Sequence, residues 1–261
     1  MVIPTFSSHD LVKVLRSLPI QWENARNVVI HSSLSSFGVL NQDRRDFFSH
    51  FISIFPKQAN LFFPTFSYSY RRNLIFNQSN YHSSVYKDMG ALSKMACESQ
   101  FGNQSNCPLF SYYIIGPDAD QLSRLVSVEC FGDQSLFSTF FQENSYLLGL
   151  GITYSTGITP FVYIERSANV PFRFNLSLSG YRVNPISGNC ESDTVIHFAR
   201  DELSFPELVS NSREAIGFEM ENRGISHVGV LNSSKLFCID SSNFYAFVKS
   251  ALLADPFCMC L

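Results

Sequence analysis

Three apolar runs that stop abruptly in small polar residues constrain this chain most. Asn27-Val28-Val29-Ile30 stops at His31-Ser32-Ser33, Leu61-Phe62-Phe63 stops at Pro64-Thr65, and Tyr146 to Leu150 closes in Gly149-Leu150-Gly151. A strand that is apolar on both faces and feeds a polar loop belongs in a parallel sheet covered on both sides. Helix signals lie between the runs. Ser7-Ser8 can cap a stripe of Leu11, Val12, Val14 and Leu15, and Asp43 can cap Phe47, Phe48, Phe51, Ile52 and Phe55 before Pro56 closes the segment. Met89-Gly90 opens a short helix running to about Glu98. Strands and helices alternate through the first 170 residues, which predicts an α/β fold with a mostly parallel sheet and helices on both faces.

Further along, residues 110–115 and 146–150 read as strands, and 135–141 and 159–168 as helices. Residues 172–178 and 194–198 read as strands of a more antiparallel C-terminal region. Pro206 to Arg223 reads as a helix with Pro206 in its first turn and Gly224 as its stop. A hairpin pairs 227–231 with 235–239, and 243–253 forms the last helix. Residues 66–88 are rich in Tyr, Asn, Ser and Arg without a period, and read as a long ordered loop over a site. No linker or repeat divides the chain, so 1–261 is expected to be one domain, with 66–108 as a loop-rich, substrate-covering insertion.

Composition narrows the function classes. Hydrophobic residues make up 45%, with 26 Phe, so a thick aromatic core is expected. Only 16% of residues are charged and the net charge is −3, so no basic face for nucleic acid is predicted. The pairs Arg44-Arg45 and Arg71-Arg72 read as solvated surface. The seven Cys contain no CxxC, which signals neither a metal site nor a redox pair. Without a signal peptide or a run of about twenty apolar residues, a reduced, cytoplasmic chain that does not enter a membrane is expected.

Ligands of open α/β sheets bind beyond the carboxyl ends of strands, so 28–38, 61–69 and 146–159 are the first places to look. His31-Ser32-Ser33-Leu34-Ser35-Ser36-Phe37-Gly38 offers hydroxyls and backbone N–H groups with little bulk, suited to a phosphate or a carbonyl oxygen, although a serine-rich turn is often only a turn. Glu165, on the 159–168 helix, reads either as a base among apolar neighbours or as a surface residue paired with Arg166 or Arg173. His197 and His227 read as structural strand histidines. Cys107, before Pro108, reads as a plain thiol or as a nucleophile. No GxSxG elbow or Walker loop is present.

Taken in order, the segments resemble the aminoglycoside N3-acetyltransferase family. Val29 to Gly38 resembles its V-x-H-S-S-L-S-x-x-G, Pro64-Thr65-Phe66-Ser67 its P-T-F-[ST], and Met89-Gly90-Ala91-Leu92-Ser93 its M-G-x-L helix start. Cys107 to Ser111 stands in the place of [HD]-P-x-x-S, and Phe131 to Phe137 resembles G-x-x-S-x-[LF]. Leu147 to Gly151, Thr159 to Glu165 and Val170 to Arg173 resemble L-L-G-x-G, T-x-x-H-x-x-E and P-[YF]-R. The resemblance implies a three-layer α/β/α sandwich unlike the GNAT fold, acetyl-CoA or another acyl-CoA as donor, no metal, and a small-molecule amine as acceptor, with self-association left open. It implies that His31, Ser32, Ser33, Leu34, Ser35 and Gly38 hold coenzyme A, and that Thr65, Ser67, Tyr68 and Ser111 meet the acceptor. It places Thr159, Glu165 and Cys107 in the catalytic positions.

Two departures bear on the chemistry. The histidine of T-x-x-H-x-x-E, the family's general base, is Val162 here, and the His or Asp before Pro108 is Cys107. Acyl transfer can then use another base, such as Glu165 or Cys107, or act on an amine of lower pKa, such as a nucleotide-linked amino sugar. Alternatively, the chain is a catalytically degraded relative that binds coenzyme A or a partner. Acidic pairs that could hold a polycation, Asp118 with Asp120 and Glu219 with Glu221, fall outside the motifs. An amino sugar of polysaccharide biosynthesis is therefore expected ahead of an aminoglycoside antibiotic.

Overall fold

The computed structural model describes residues 3–80, 89–184, 187–208 and 213–260. Its first half runs β1 (Thr5–Phe6), α1 (Ser8–Ser17), β2 (Asn27–Ser32), β3 (Val39–Leu40), α2 (Arg44–Ile52), β4 (Asn60–Pro64), α3 (Ala91–Ser99), β5 (Asn103–Gln104) and β6 (Tyr112–Ile115). The second half runs α4 (Ala119–Ser123), β7 (Ser145–Leu150), α5 (Pro160–Ser167), β8 (Arg173–Val183), β9 (Cys190–Arg200), α6 (Arg213–Asn222), β10 (Ser226–Leu231), β11 (Ser234–Asp240) and α7 (Ser241–Ala254). Ser7 caps α1 in a reciprocal box with Asp10, and Asp43 caps α2 through the Arg45 and Asp46 N–H groups.

A seven-stranded sheet in the order β10-β11-β7-β2-β4-β6-β5 forms the middle layer. Its strands alternate between two cores, as the twofold repeat of a strand requires. Val28, Ile30, Leu61, Phe63, Leu148 and Leu236 face one core, which α1, α2 and α3 cover through Leu11, Phe47, Phe51 and Met95. Val29, Phe62, Leu147, Phe237, Tyr112 and Ile114 face the other, under Phe161 and Ile164 of α5, Met220 of α6 and Phe244 and Val248 of α7. The α/β/α layering is as expected. Parallel pairing is narrower than the alternation of elements suggests: β2 runs parallel to β4 and β7, whereas β6, β5, β11 and β10 join antiparallel. Helix and strand counts cannot distinguish a crossover from a return hairpin such as β10–β11.

Three further details differ from the sequence expectation. Residues 136–141 form a 3-10 turn, and Asn103–Gln104 is a short edge strand. Pro206 does not open a helix. Residues 201–208 are turns held by the Asp201 carboxylate, which accepts the Ser204 N–H at 3.0 Å, and by Arg200, which donates to the Leu208 carbonyl at 2.9 Å. Helix α6 is described only from Arg213. Part of the predicted 66–88 loop, residues 81–88, lies outside the described residues; 69–72 within it form a 3-10 turn. The C-terminal antiparallel region is the long β8–β9 hairpin, paired from Arg173 with Arg200 to Val183 with Cys190. Among the described residues, no helix is long and apolar enough to cross a membrane, and no cluster of His, Cys, Asp and Glu could hold a metal.

Candidate active site

A cavity of about 480 Å³ opens where β2, β4 and β7 end. Strand β2 contributes His31 and Ser32, and the start of α5 contributes Thr159 and Val162. The segment after β4 contributes Phe66, Tyr68 and Arg71. Arg173 of β8 and Arg213 of α6 complete the charged part of the lining, beside His197 of β9. A second hollow of about 500 Å³ lies between α2 and α3, lined by Arg44, Met95 and Phe101, and holds none of the strand-end residues.

The serine turn is fastened to β7. Ser33 N–H donates to Leu150 O at 2.8 Å, and Ser36 Oγ donates to Gly151 O at 2.8 Å and to Ser33 Oγ at 3.1 Å. Two glycines permit this closeness. At Gly151, with φ +66°, a Cβ would stand 2.6 Å from Ser33 O; at Gly38, with φ +107°, it would stand 2.0 Å from Pro4 O. Of the residues implied for coenzyme A, His31 and Ser32 line the cavity. Leu34 points into the core, Ser35 is exposed, and Ser33 and Gly38 shape the turn.

Glu165 is 1% exposed and clamped between two guanidiniums. Its Oε1 accepts from Arg213 at 2.9 Å, and its Oε2 lies 2.6 Å from Arg173 Nε in an ion contact off hydrogen-bond alignment. The expected Arg173 pairing is therefore present, but buried rather than on the surface, while Arg166 pairs with Glu129. With both oxygens engaged by cations, this carboxylate ties Arg173 and Arg213 together. Burial pushes the His31 imidazole down to about 3; its Nε2 lies 3.5 Å from the Tyr112 hydroxyl. His197 is also pushed down to about 3, by burial first and then by Arg71 and Arg173. It stacks on Phe110 at 5.1 Å, and its Nδ1 is buried without a partner.

Thr159 precedes α5 without spending its hydroxyl on a cap. Tyr68 sits in the left-handed region at φ 48°, ψ 31°, a conformation a bulky residue holds only when its surroundings impose it. Phe66 and Phe110 meet its ring edge-on and its N–H donates to Leu109 O at 3.3 Å, while Thr65, Ser67 and Ser111 are fully buried. Thr65 Oγ1 and the Gln104 amide bond each other, Ser67 donates to Pro108 O at 2.7 Å, and Ser111 donates to Thr65 O at 2.8 Å. The structure thus brings Tyr68 to the cavity and uses the other three to shape its loop. Cys107 lies outside the cavity lining, in a small separate hollow with Cys130; the two sulfurs are 3.9 Å apart. The Cys130 thiol beside it draws the Cys107 thiol below its ordinary range.

The sequence model of one family, aminoglycoside 3-N-acetyltransferase, matches residues 29–252. The chain belongs to the aminoglycoside 3-N-acetyltransferase family. Solved structures agree on the fold. AAC-VIa bound to sisomicin superposes with a TM-score of 0.80 at 19% identity, covering 96% of this chain and 99% of that one. AAC-IIIb in a binary complex with CoASH gives 0.76 at 16% identity, over 95% and 97%. YokD from Bacillus subtilis gives 0.77 at 15% identity, over 98% and 96%. A search of curated protein sequences found no match.

Against the aminoglycoside 3-N-acetyltransferase pattern, what the sequence did not reveal is the charge of the cavity. By sequence Arg71 reads as surface and His197 as structural, and Arg213 lies in no motif. Arg213 sits 48 positions from the carboxylate it meets, so local spacing carries no sign of the pair. The one available signal was that Glu165 lies in an apolar helix, where a buried carboxylate demands a cation.

Proposed function

We propose that this chain transfers an acyl group from acyl-CoA to an amine, the amino group of an amino sugar or of a nucleotide-linked amino sugar. The observation that carries the reading is the convergence of His31, Ser32, Thr159 and Val162 on one cavity at the strand ends, in a chain of an acetyltransferase family. The donor thioester would lie along the His31–Gly38 turn. The Thr159 hydroxyl, at the cavity and not used as a cap, would stabilise the oxyanion that develops on the thioester carbonyl. The amine lone pair forms the C–N bond, the C–S bond breaks, and coenzyme A leaves as the thiol with the amine proton.

Among the described lining residues no group is a good proton acceptor before attack: Val162 has no basic atom, and His31 and His197 are desolvated. Glu165, behind the lining, is engaged by Arg173 and Arg213. The amine should therefore arrive neutral, which suits an acceptor of low amine pKa. The test is kcat/KM against pH for a series of amines. Profiles that track each amine's own pKa support the reading; one enzyme ionisation common to all amines would remove it.

Two other readings each have one observation behind them. Val162 favours a relative that binds coenzyme A or a partner without turnover. The sisomicin complex of AAC-VIa favours an aminoglycoside acceptor. Calorimetry with acetyl-CoA and turnover on an amine panel separate them: binding without turnover selects the first, and preference for sisomicin the second.

A further inference from the structure

We infer that the part of the cavity built by Arg71, Arg213 and Arg173 is an anion subsite, and that the acceptor amine carries a phosphate or carboxylate. This rests on the N-acyltransfer reading for the amine's fate, though not for binding of the anion.

The charges do not cancel. Arg71, Arg173 and Arg213 line the cavity, and among its described lining residues there is no Asp or Glu. Glu165, just behind, is shared by Arg173 and Arg213, one carboxylate for two guanidiniums. Arg71 is exposed and has no ion-pair partner among the described residues. Glu214 accepts the Ser155 N–H at 2.7 Å and keeps its charge, which together with Glu165 still leaves the three arginines in excess; Glu129 pairs with Arg166, and Asp193 pairs with Arg182 and accepts from the Tyr70 hydroxyl at 2.6 Å. Asp120, Glu219 and Glu221 are paired with Arg124, Arg223 and Lys235, and Asp118 accepts from Asn60.

A second observation is independent of the charge count. Arg213 is 4% exposed, lies over the Phe161 ring at 4.6 Å, and keeps its Nε N–H buried without a partner. His197 Nδ1 is likewise unpartnered. Buried donors of a charged group are ordinarily satisfied, so an orphan beside a cavity calls for an acceptor that enters with the ligand. Guanidinium forks match phosphate and carboxylate geometry. The same charges oppose a polycation, since like-charge juxtaposition rejects wrong partners.

The test combines binding and turnover on the full chain. Calorimetry with glucosamine, glucosamine 6-phosphate, muramic acid and sisomicin reads the subsite without needing chemistry. The phosphate or carboxylate ligand should bind about tenfold or more tighter than glucosamine, the order expected for one charged hydrogen bond. The two anionic arms show which anion is taken. Arg71→Ala, at an exposed position, should erase this advantage while leaving the affinity for acetyl-CoA intact. Equal binding of glucosamine and its phosphate, tighter binding of sisomicin, or an Arg71→Ala loss confined to acetyl-CoA would overturn the inference. The last result would assign the arginines to the coenzyme's phosphates. Anion binding without acyl transfer would sustain the subsite and remove only the reaction.

Discussion

The cavity joins two kinds of construction. Its strand-end part comes from two short continuous stretches, His31 to Gly38 and Leu150 to Val162, fastened to each other mainly by backbone and hydroxyl bonds. Its other part, with Arg71, Arg173, His197 and Arg213, is drawn from four separate segments, and two of them, at Arg173 and Arg213, are tied by charge to Glu165. On the proposed reading, the first would carry the thioester and the second would select the acceptor beside it. The departures from the family pattern do not follow this division: Val162 belongs to the strand-end part, Arg173 of the second part keeps the pattern, and Cys107 lies outside the cavity lining.

The largest effect tests whether the strand-end part lacks only a base. Val162→His puts an imidazole into the cavity at the position where the family pattern has one. A positioned general base contributes about 10²–10⁴-fold, so kcat at pH 8 should rise by up to that factor. The pH profile should also gain an ionisation near the ordinary histidine range of about 6.5. An unchanged kcat with intact acetyl-CoA binding would mean that chemistry is not what limits this chain.

Next comes the clamp. Glu165→Ala leaves Arg173 and Arg213 buried with no counter-charge. Removing one partner of a buried ion pair costs about 3–5 kcal/mol, read as a fall in the unfolding free energy in urea. Glu165→Gln, which keeps the shape and one acceptor oxygen, should cost less. If both variants keep full stability, the cationic part is not organised by Glu165.

These expectations show why one part was legible and the other was not. The His31–Gly38 turn, the Asp43 cap and the Thr159-to-Glu165 helix are local patterns, written within ten residues each. The Thr65 and Ser111 motifs were visible as well, but their roles were not: whether a hydroxyl lines a cavity or braces a loop depends on Gln104, 39 positions from Thr65. Arg213 and His197 had no local sign at all, because their burial is created by the β8–β9 hairpin and α6 folding back over the sheet. The same limit hid the antiparallel entry of β6, since pairing direction belongs to topology rather than to a strand's own residues.

The buried histidines give a smaller, pH-dependent contrast. His31 and His197 have folded values near 3, below the ordinary 6.5, so the unfolded chain binds more protons as pH falls. Their contribution is present above pH 6.5 and is lost as pH falls toward 3. Between pH 7 and 5 each should cost about 2 kcal/mol. Asp10 and Asp201, lowered from 3.8, act below this window. His31 faces Tyr112, whereas His197 faces Arg71 and Arg173. An anionic ligand at those arginines should therefore reduce the His197 share alone. In His197→Phe, about half of the pH slope should vanish; an unchanged slope would place the His197 ring in water.

The smallest effect probes the fastening of the turn. Ser36 Oγ donates to Gly151 O and to Ser33 Oγ from an exposed position, and the Ser33 N–H to Leu150 O bond holds the same junction independently. Ser36→Ala should therefore cost only about 0.5–1.5 kcal/mol, the net value of an ordinary hydrogen bond. Affinity for acetyl-CoA should fall with it, because the turn loses a tie to β7, while affinity for an anionic amine should not change. That split is the sharpest form of the comparison. If Ser36→Ala weakens both ligands equally, the two parts of the cavity are mechanically one, and the arginines depend on the turn for their placement.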